Sequence, residues 1–137
     1  MVGPGSLYTS IIPNLLVPDI AAAIKASRAL KIYVVNVAAQ NGETDHYNCG
    51  DHVHSVEKYL GGPVFDIVVC NKPIDGNASA AVDWVALDDG LNTNYATYVS
   101  DLVDEISPWR HDSKKLGQAI IDLYYERTGP LNIRDEI

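Results

Sequence analysis

Two segments of the sequence are apolar and rich in β-branched residues along almost their whole length. They are residues 31–37, KIYVVNV, and residues 66–71, DIVVCN. This composition is typical of strands that are covered on both faces of a parallel sheet. The residues between them place apolar side chains at helical spacing, at Val53, Val56, Tyr59 and Leu60. With an N-cap at Asn48 and a stop at Gly61-Gly62, the pattern predicts a βαβ unit with a right-handed crossover.

Helices are also predicted before and after this unit. Pro18 suits the first turn of a helix that covers Asp19 to Ala29, and Asp112 is the N-cap of a final helix that ends at Thr128-Gly129-Pro130. The apolar stripe of the final helix is formed by Leu116, Ala119, Ile120, Leu123 and Tyr124. Two short strands are predicted at residues 82–87 and 98–102. The sequence therefore predicts an α/β fold in which helices cover both faces of a mostly parallel sheet.

Length and composition agree with one folded domain. The chain has 137 residues, 47% apolar and 20% charged, and we assign residues 1–128 to a single domain and residues 129–137 to a mobile tail. Asp and Glu exceed Lys and Arg by 18 to 10, so the net charge of −8 argues against a nucleic-acid partner. No apolar run approaches the roughly 18 residues of a membrane span, and the chain opens without the basic segment of a signal peptide. We therefore expect a cytoplasmic protein with no membrane partner.

The opening turn, Gly3-Pro4-Gly5-Ser6, is the first candidate for chemistry. Ligands of open α/β sheets bind at the carboxyl ends of strands, and this turn would follow a strand and precede a helix. Its glycines let backbone amides approach a ligand, and a helix start adds free N–H groups that suit an anion such as phosphate. Ser6, Thr9 and Ser10 would add hydroxyl donors. The turn lacks the Gly-Lys-Ser/Thr of a Walker A motif and the third glycine of a dinucleotide fingerprint, so an ordinary turn is the alternative.

A polar loop at residues 38–47 is the second candidate. It follows the strand that ends at Asn36 and carries amide, carboxylate and hydroxyl groups, at Gln40, Glu43, Thr44 and Asp45. A loop in this place can recognise a polar ligand, whereas the alternative is a solvated connection that turns at Asn41-Gly42. Glu43 and Asp45 could instead hold a hydrated Mg²⁺ ion.

Three further polar residues, His52, His54 and Arg110, are candidates for a metal or a phosphate. His52 and His54 are two positions apart, so a helix cannot direct both at one ion, and we assign no metal site to them. Arg110 precedes the final helix and can bind phosphate through two parallel hydrogen bonds. Its alternative role is a surface ion pair with one of the many acidic residues.

The run at residues 3–18, GPGSLYTSIIPNLLVP, resembles the signature of the YvcK-like gluconeogenesis factors. These factors belong to the CofD-like superfamily, which includes the 2-phospholactate transferase of deazaflavin coenzyme biosynthesis. The resemblance continues in residues 40–45, 51–53 and 110–112, and it covers roughly residues 2–126. It implies a Rossmann-like three-layer sandwich.

For the gluconeogenesis factors, the resemblance implies binding of UDP-sugars such as UDP-N-acetylglucosamine and a regulatory role in carbon metabolism, cell-wall synthesis and cell shape. The opening turn would then face the phosphates, and Arg110 matches an arginine of the family's nucleotide-sugar site. The predicted ligand site consists of Gly3, Pro4, Gly5, Ser6, Thr9, Ser10, Asn36, Gln40, Glu43, Thr44, Asp45 and Arg110. The alternative is a phosphoryl-type transferase that moves a phospholactyl group with Mg²⁺. No other cofactor is assigned.

The sequence departs from this family in two places. The Gly-Gly-Gly-Thr-Gly loop of the family belongs to an N-terminal half and does not occur here, and the match thins at residues 71–86. We therefore expect the carboxyl-terminal part of a larger family fold, truncated on its N-terminal side, that associates with itself or with a missing half. A structural half that binds no ligand and needs a partner chain is the third alternative.

Overall fold

Three parallel strands form the centre of the fold in the computed structural model, which describes residues 1–74 and 82–129. The strands are β1 (Ile32–Val34), β2 (Ile67–Asn71) and β3 (Ala96–Ser100). A π-helical turn at Leu7–Ile11 is followed by the helices α1 (Ile12–Leu15), α2 (Pro18–Ala26), α3 (Cys49–Leu60), α4 (Leu91–Asn94) and α5 (Ser113–Thr128). The α/β fold class predicted from the sequence is confirmed.

The sheet places the carboxyl ends of its strands at one edge. Its order is β1-β2-β3, and both pairs are parallel. Val2 extends the sheet beyond β1, because its N–H donates to the Ile32 carbonyl at 2.8 Å and its carbonyl accepts from Val34 N at 2.9 Å. The opening turn therefore leaves the sheet beside the chain that follows β1, as the sequence predicts.

The crossover helix α3 begins and ends where its local signals predict. The Asn48 side chain accepts from Asp51 N at 2.8 Å, and the Asp51 carboxylate accepts from Asn48 N at 3.0 Å, so both residues satisfy a free donor of the first turn. Gly61 ends the helix with a φ of 77°, which a residue with a side chain rarely adopts.

The two faces of the sheet pack against different helices. Tyr33 and Val35 join the cluster beneath the Leu7–Leu15 segment and α3, whereas Ile32 and Val34 join the cluster beneath α5. This alternation follows from the two-residue period of a strand. Helices on both faces make a three-layer arrangement.

Within residues 1–74 and 82–129, no single helix has the length and composition of a membrane span. The segments Leu7–Leu15 and Pro18–Ala26 have that length and composition only when taken together, as a pair bent by 80°.

Several predicted element boundaries are wrong. Residues 82–87 form no strand but one antiparallel bridge between Trp84 and Ala38, since they pair with the irregular chain after β1. The strand predicted at 98–102 is Ala96–Ser100, because Leu102 N donates to the Asn71 side chain instead of a neighbouring strand. The helix predicted to reach Ala29 ends at Ala26.

The final helix differs from its prediction in its apolar stripe. Ala119 and Leu123 are buried and Leu116 and Ile120 are half-buried, but Tyr124 lies at the surface. Of the predicted tail, the structure describes only Gly129, the C-cap that follows α5. Positions 130–137 lie outside the described residues.

Candidate ligand-binding site

An open cavity of about 820 Å³, which we call the main cavity, lies at the carboxyl end of β1, beside the turn that follows Val2. Six of the predicted site residues line it, namely Pro4, Gly5, Ser6, Asn36, Gln40 and Arg110. The first turns of α5 form the wall beside Arg110. Segments that are far apart in the sequence therefore meet at the edge of the sheet where the topology predicts a ligand site.

The opening turn is fixed to the end of β1 by one amide side chain. Asn36 Oδ1 accepts from Gly5 N at 3.1 Å, and Asn36 Nδ2 donates to the Gly5 carbonyl at 2.9 Å. The turn also passes very close to the sheet at Gly3, where φ is +70° and a Cβ atom would lie 2.5 Å from the Val34 carbonyl oxygen. These contacts give the turn a defined position at the rim of the main cavity.

Ser6 connects the opening turn to the polar loop. Its hydroxyl accepts from Thr9 N at 3.3 Å and from the Thr9 hydroxyl, as expected for the residue before a helical segment. The same hydroxyl donates to Glu43 Oε2 at 3.0 Å. Glu43 does not line the main cavity, so it acts on the opening turn through Ser6.

The other predicted residues of the polar loop serve mainly to shape it. Thr44 is fully buried, and its Oγ1 accepts from Gln40 N at 2.8 Å. Asp45 Oδ2 accepts from Gly42 N at 2.7 Å. Gln40 is the member that reaches the main cavity, and its buried Oε1 has no hydrogen-bond partner among the described residues.

Four predicted site residues besides Thr44 and Asp45 lie outside the main cavity, namely Gly3, Thr9, Ser10 and Glu43. Gly3 and Ser10 line an adjoining cavity of about 280 Å³ next to α2. The opening turn therefore presents only Pro4, Gly5 and Ser6 to the main cavity.

The structure directs the two carboxylates considered for Mg²⁺, Glu43 and Asp45, at different parts of the chain. The two carboxylates face different partners, Ser6 and Gly42, and Asp45 lines a cavity smaller than the main cavity that Glu43 does not line. In the described part of the chain, no group of three or more His, Cys, Asp or Glu side chains could hold a metal ion.

Among the described residues, Arg110 is the only Lys or Arg that lines the main cavity. Its Nη2 lies 3.4 Å from Asp104 Oδ2, and 65% of the side chain is exposed. Hydrogen bonds from backbone N–H groups, of which that of Ser107 has the largest effect, hold the pKa of Asp104 below its usual range. This carboxylate therefore stays charged beside the guanidinium. Because the Arg110–Asp104 pair is exposed, it is weak, and the Arg110 side chain can turn toward an anionic ligand.

Sequence reasoning missed one wall of the main cavity. Trp109, which is 63% exposed, and His111 flank Arg110, while Leu116 and Ile120 line the cavity from α5. The sequence gives one signal for the first two, their adjacency to Arg110. The sequence assigns the two α5 residues only to the core, because their contact with the cavity depends on where the helix folds back over the sheet.

Two histidines, the buried His52 and the half-buried His111, are expected to make the stability of the fold depend on pH. Burial lowers the pKa of His52 and of His111, and contacts with the Asn48 and Val35 backbones act in the opposite direction without cancelling the effect. The Nε2 atoms of both rings are buried without a partner in the described part of the chain.

We therefore expect the free energy of unfolding to fall as the pH drops from 7.5 to 5.5. The unfolded chain binds protons near pH 6.5 and the folded chain only at lower pH, so stability is present above about 6.5 and is lost below it, at up to about 1.4 kcal/mol per pH unit for each histidine. Urea unfolding at several pH values measures this slope. His52→Gln and His111→Gln should flatten it, whereas His54→Gln, at an exposed position, should not. A slope equal in all four proteins would contradict the assignment.

Comparison with known proteins identifies the family. The family model described as 2-phospho-L-lactate transferase CofD matches residues 1–124, which is most of the chain. The chain belongs to the CofD family. The main cavity, from the opening turn to Ile121, lies within the CofD match.

Two relatives of this CofD-family chain are called gluconeogenesis factors. That of Halalkalibacterium halodurans is 40% identical over 134 residues, which cover 89% of this chain and 41% of the relative. That of Bacillus subtilis is 32% identical over 141 residues, which cover 92% of this chain and 43% of the relative. The chain thus spans about two fifths of the length of these curated relatives.

Part of a solved structure has the same fold as this CofD-family chain. The crystal structure of a member of the UPF0052 family from Bacillus halodurans superposes with a TM-score of 0.77 at 38% sequence identity. The match covers 88% of this chain and 41% of the other. The resemblance to the gluconeogenesis factors and the predicted α/β fold are therefore both confirmed.

Proposed function

We propose that the main cavity binds the diphosphate of a UDP-sugar of the UDP-N-acetylglucosamine type, and that the chain is a regulatory ligand-binding protein. The observation that carries this proposal is the meeting of the opening turn and Arg110 in one cavity. Proteins direct guanidinium groups and backbone N–H groups at phosphate. Gly5 N is already bonded to Asn36, so the N–H of the turn that we assign to the phosphates is that of Ser6.

The electrostatics of the chain support a single anion site at this place. The net charge is −8, so most of the surface repels a diphosphate. The Leu7–Leu15 segment begins directly after the opening turn, and the first N–H groups of a helical segment lack partners within it. With Arg110, the start of this segment at Ser6 makes the rim of the main cavity the favourable exception.

The apolar wall supports a ligand that is larger than phosphate. Trp109, Leu116 and Ile120 line the same cavity, and its volume of about 820 Å³ is in the range of cofactor sites. A nucleotide provides a flat ring for such a wall and charged groups for the rim. We favour binding over transfer, because Glu43 and Asp45 face different partners instead of one reaction centre.

The activity of the whole protein is also a proposal, since the relatives are much longer than this chain. Two relatives carry the name gluconeogenesis factor, which agrees with a role in carbon metabolism. We propose that this role is exercised in the cytoplasm, together with the remainder of the family fold or with a second copy of the chain.

Thermal unfolding tests the proposal directly. A ligand that binds only the folded chain stabilises it by about 2.7 kcal/mol at one hundred times its Kd. For a chain of this size, we expect millimolar UDP-N-acetylglucosamine to raise the Tm by about 5 °C or more. N-acetylglucosamine without the diphosphate should leave the Tm unchanged. An unchanged Tm with both compounds would contradict binding at the main cavity.

A further inference from the structure

A smaller cavity of about 400 Å³ adjoins the main cavity. The two share Ala38, Ala39 and Trp109, so the exposed Trp109 borders both of them. A ligand bound in the main cavity can therefore continue past Trp109 into the smaller cavity without crossing the protein core.

The smaller cavity has the opposite electrostatic character. Asp45, Asp83 and Asn41 line it, and no Lys or Arg of the described residues does. Carboxylates repel a phosphate, whereas they accept hydrogen bonds from hydroxyl groups, and an amide can both donate and accept. The polar side chains of this cavity thus suit a neutral, hydroxyl-rich group.

The two carboxylates are already held in position. Asp45 Oδ2 accepts from Gly42 N at 2.7 Å, and Asp83 Oδ2 accepts from His46 N at 3.1 Å. Each carboxylate has about four lone-pair sites, so both keep the capacity to accept from a ligand. Because these bonds fix the groups in advance, little side-chain entropy is lost on binding.

An indole ring beside carboxylate and amide groups matches the two kinds of surface of a pyranose. The C–H face of the sugar packs on an aromatic ring, and the hydroxyls at its edge point to acceptors. Trp109 presents 63% of its surface, which is enough for such a face.

We propose that the smaller cavity is the sugar subsite of the ligand site, with Trp109 as its apolar platform and Asp45 and Asp83 as acceptors for sugar hydroxyls. This rests on the proposed function, in which the main cavity holds the nucleotide diphosphate. It adds a direction to the ligand, with the diphosphate at Arg110 and the sugar beyond Trp109. It also gives Asp45 a binding role that is independent of Mg²⁺.

Calorimetric titration with UDP and with UDP-N-acetylglucosamine tests the sugar subsite. Two hydrogen bonds to charged acceptors should make the wild-type chain bind the UDP-sugar about tenfold or more tightly than UDP. In Asp45→Asn and Asp83→Asn, this ratio should fall toward one while UDP affinity changes less than about threefold. Asp19→Asn, an exposed carboxylate on α2, should keep the wild-type ratio. Two aspartates are tested so that a folding defect in one variant, visible in its Tm, leaves the other as evidence.

Tryptophan fluorescence provides a second readout. UDP-N-acetylglucosamine should change the emission of the wild-type chain more than UDP does, and Trp109→Phe should abolish that difference. A wild-type ratio near one, or a tenfold ratio retained in both aspartate variants, would overturn the sugar subsite and leave UDP binding intact. If neither UDP nor the UDP-sugar binds the wild-type chain, the proposed function itself fails, and the subsite fails with it.

Discussion

Replacing Arg110 with alanine is expected to weaken the binding of UDP-N-acetylglucosamine by about 10- to 100-fold while leaving the Tm unchanged. A guanidinium–phosphate hydrogen bond is worth about 1.5–3 kcal/mol, and its loss removes the cationic side chain of the main cavity. The Tm should hold, because the Arg110–Asp104 pair is exposed and contributes little to folding. Calorimetric titration and thermal unfolding of the same samples measure both effects.

Two further substitutions separate the roles of charge and geometry at this position. Arg110→Lys keeps the charge without the planar donor pair, so its affinity should lie between wild type and Arg110→Ala. Arg127→Ala removes an arginine from the exposed last turn of α5, away from the main cavity, and should bind like wild type. Equal affinities for all three variants and the wild type would show that no phosphate is held at Arg110.

The parts of the fold that sequence reasoning predicted well depend on local signals. The ends of α3 follow from Asn48 and Gly61, whose side chain and backbone act within one turn of the helix. The parallel βαβ unit follows from two buried, β-branched runs. The segment at 82–87 was predicted incorrectly because its composition fits a strand, whereas its actual pairing depends on the irregular chain near Ala38.

The site was predictable to the extent that it depends on strand ends. The opening turn and Asn36 follow neighbouring parts of the sheet, so their meeting could be expected from the topology. The resemblance pointed to Arg110, but nothing local placed it near Gly5. The roles of Thr44 and Trp109 could not be predicted from the sequence. That the threonine is buried and the indole exposed is known only from the three-dimensional contacts.

Replacing Gly3 with alanine is expected to destabilise the fold by about 2–5 kcal/mol. A side chain at a φ of +70° costs about 1–2 kcal/mol, and an added Cβ would lie 2.5 Å from the Val34 carbonyl oxygen. That oxygen belongs to the backbone of β1 and cannot rotate away, so the opening turn or the strand must shift, at about 1–3 kcal/mol more. Urea unfolding monitored by circular dichroism measures the loss.

The matched control is Gly42→Ala in the polar loop. Gly42 has a φ of +80°, but an added Cβ there meets no atom within 4 Å, so only the backbone strain of about 1–2 kcal/mol should appear. The difference between the two variants isolates the close approach of the opening turn to β1. If Gly3→Ala costs no more than Gly42→Ala, the turn has room to move. In that case the turn does not hold Ser6 N in place for a diphosphate, and the proposed position of the phosphates is wrong.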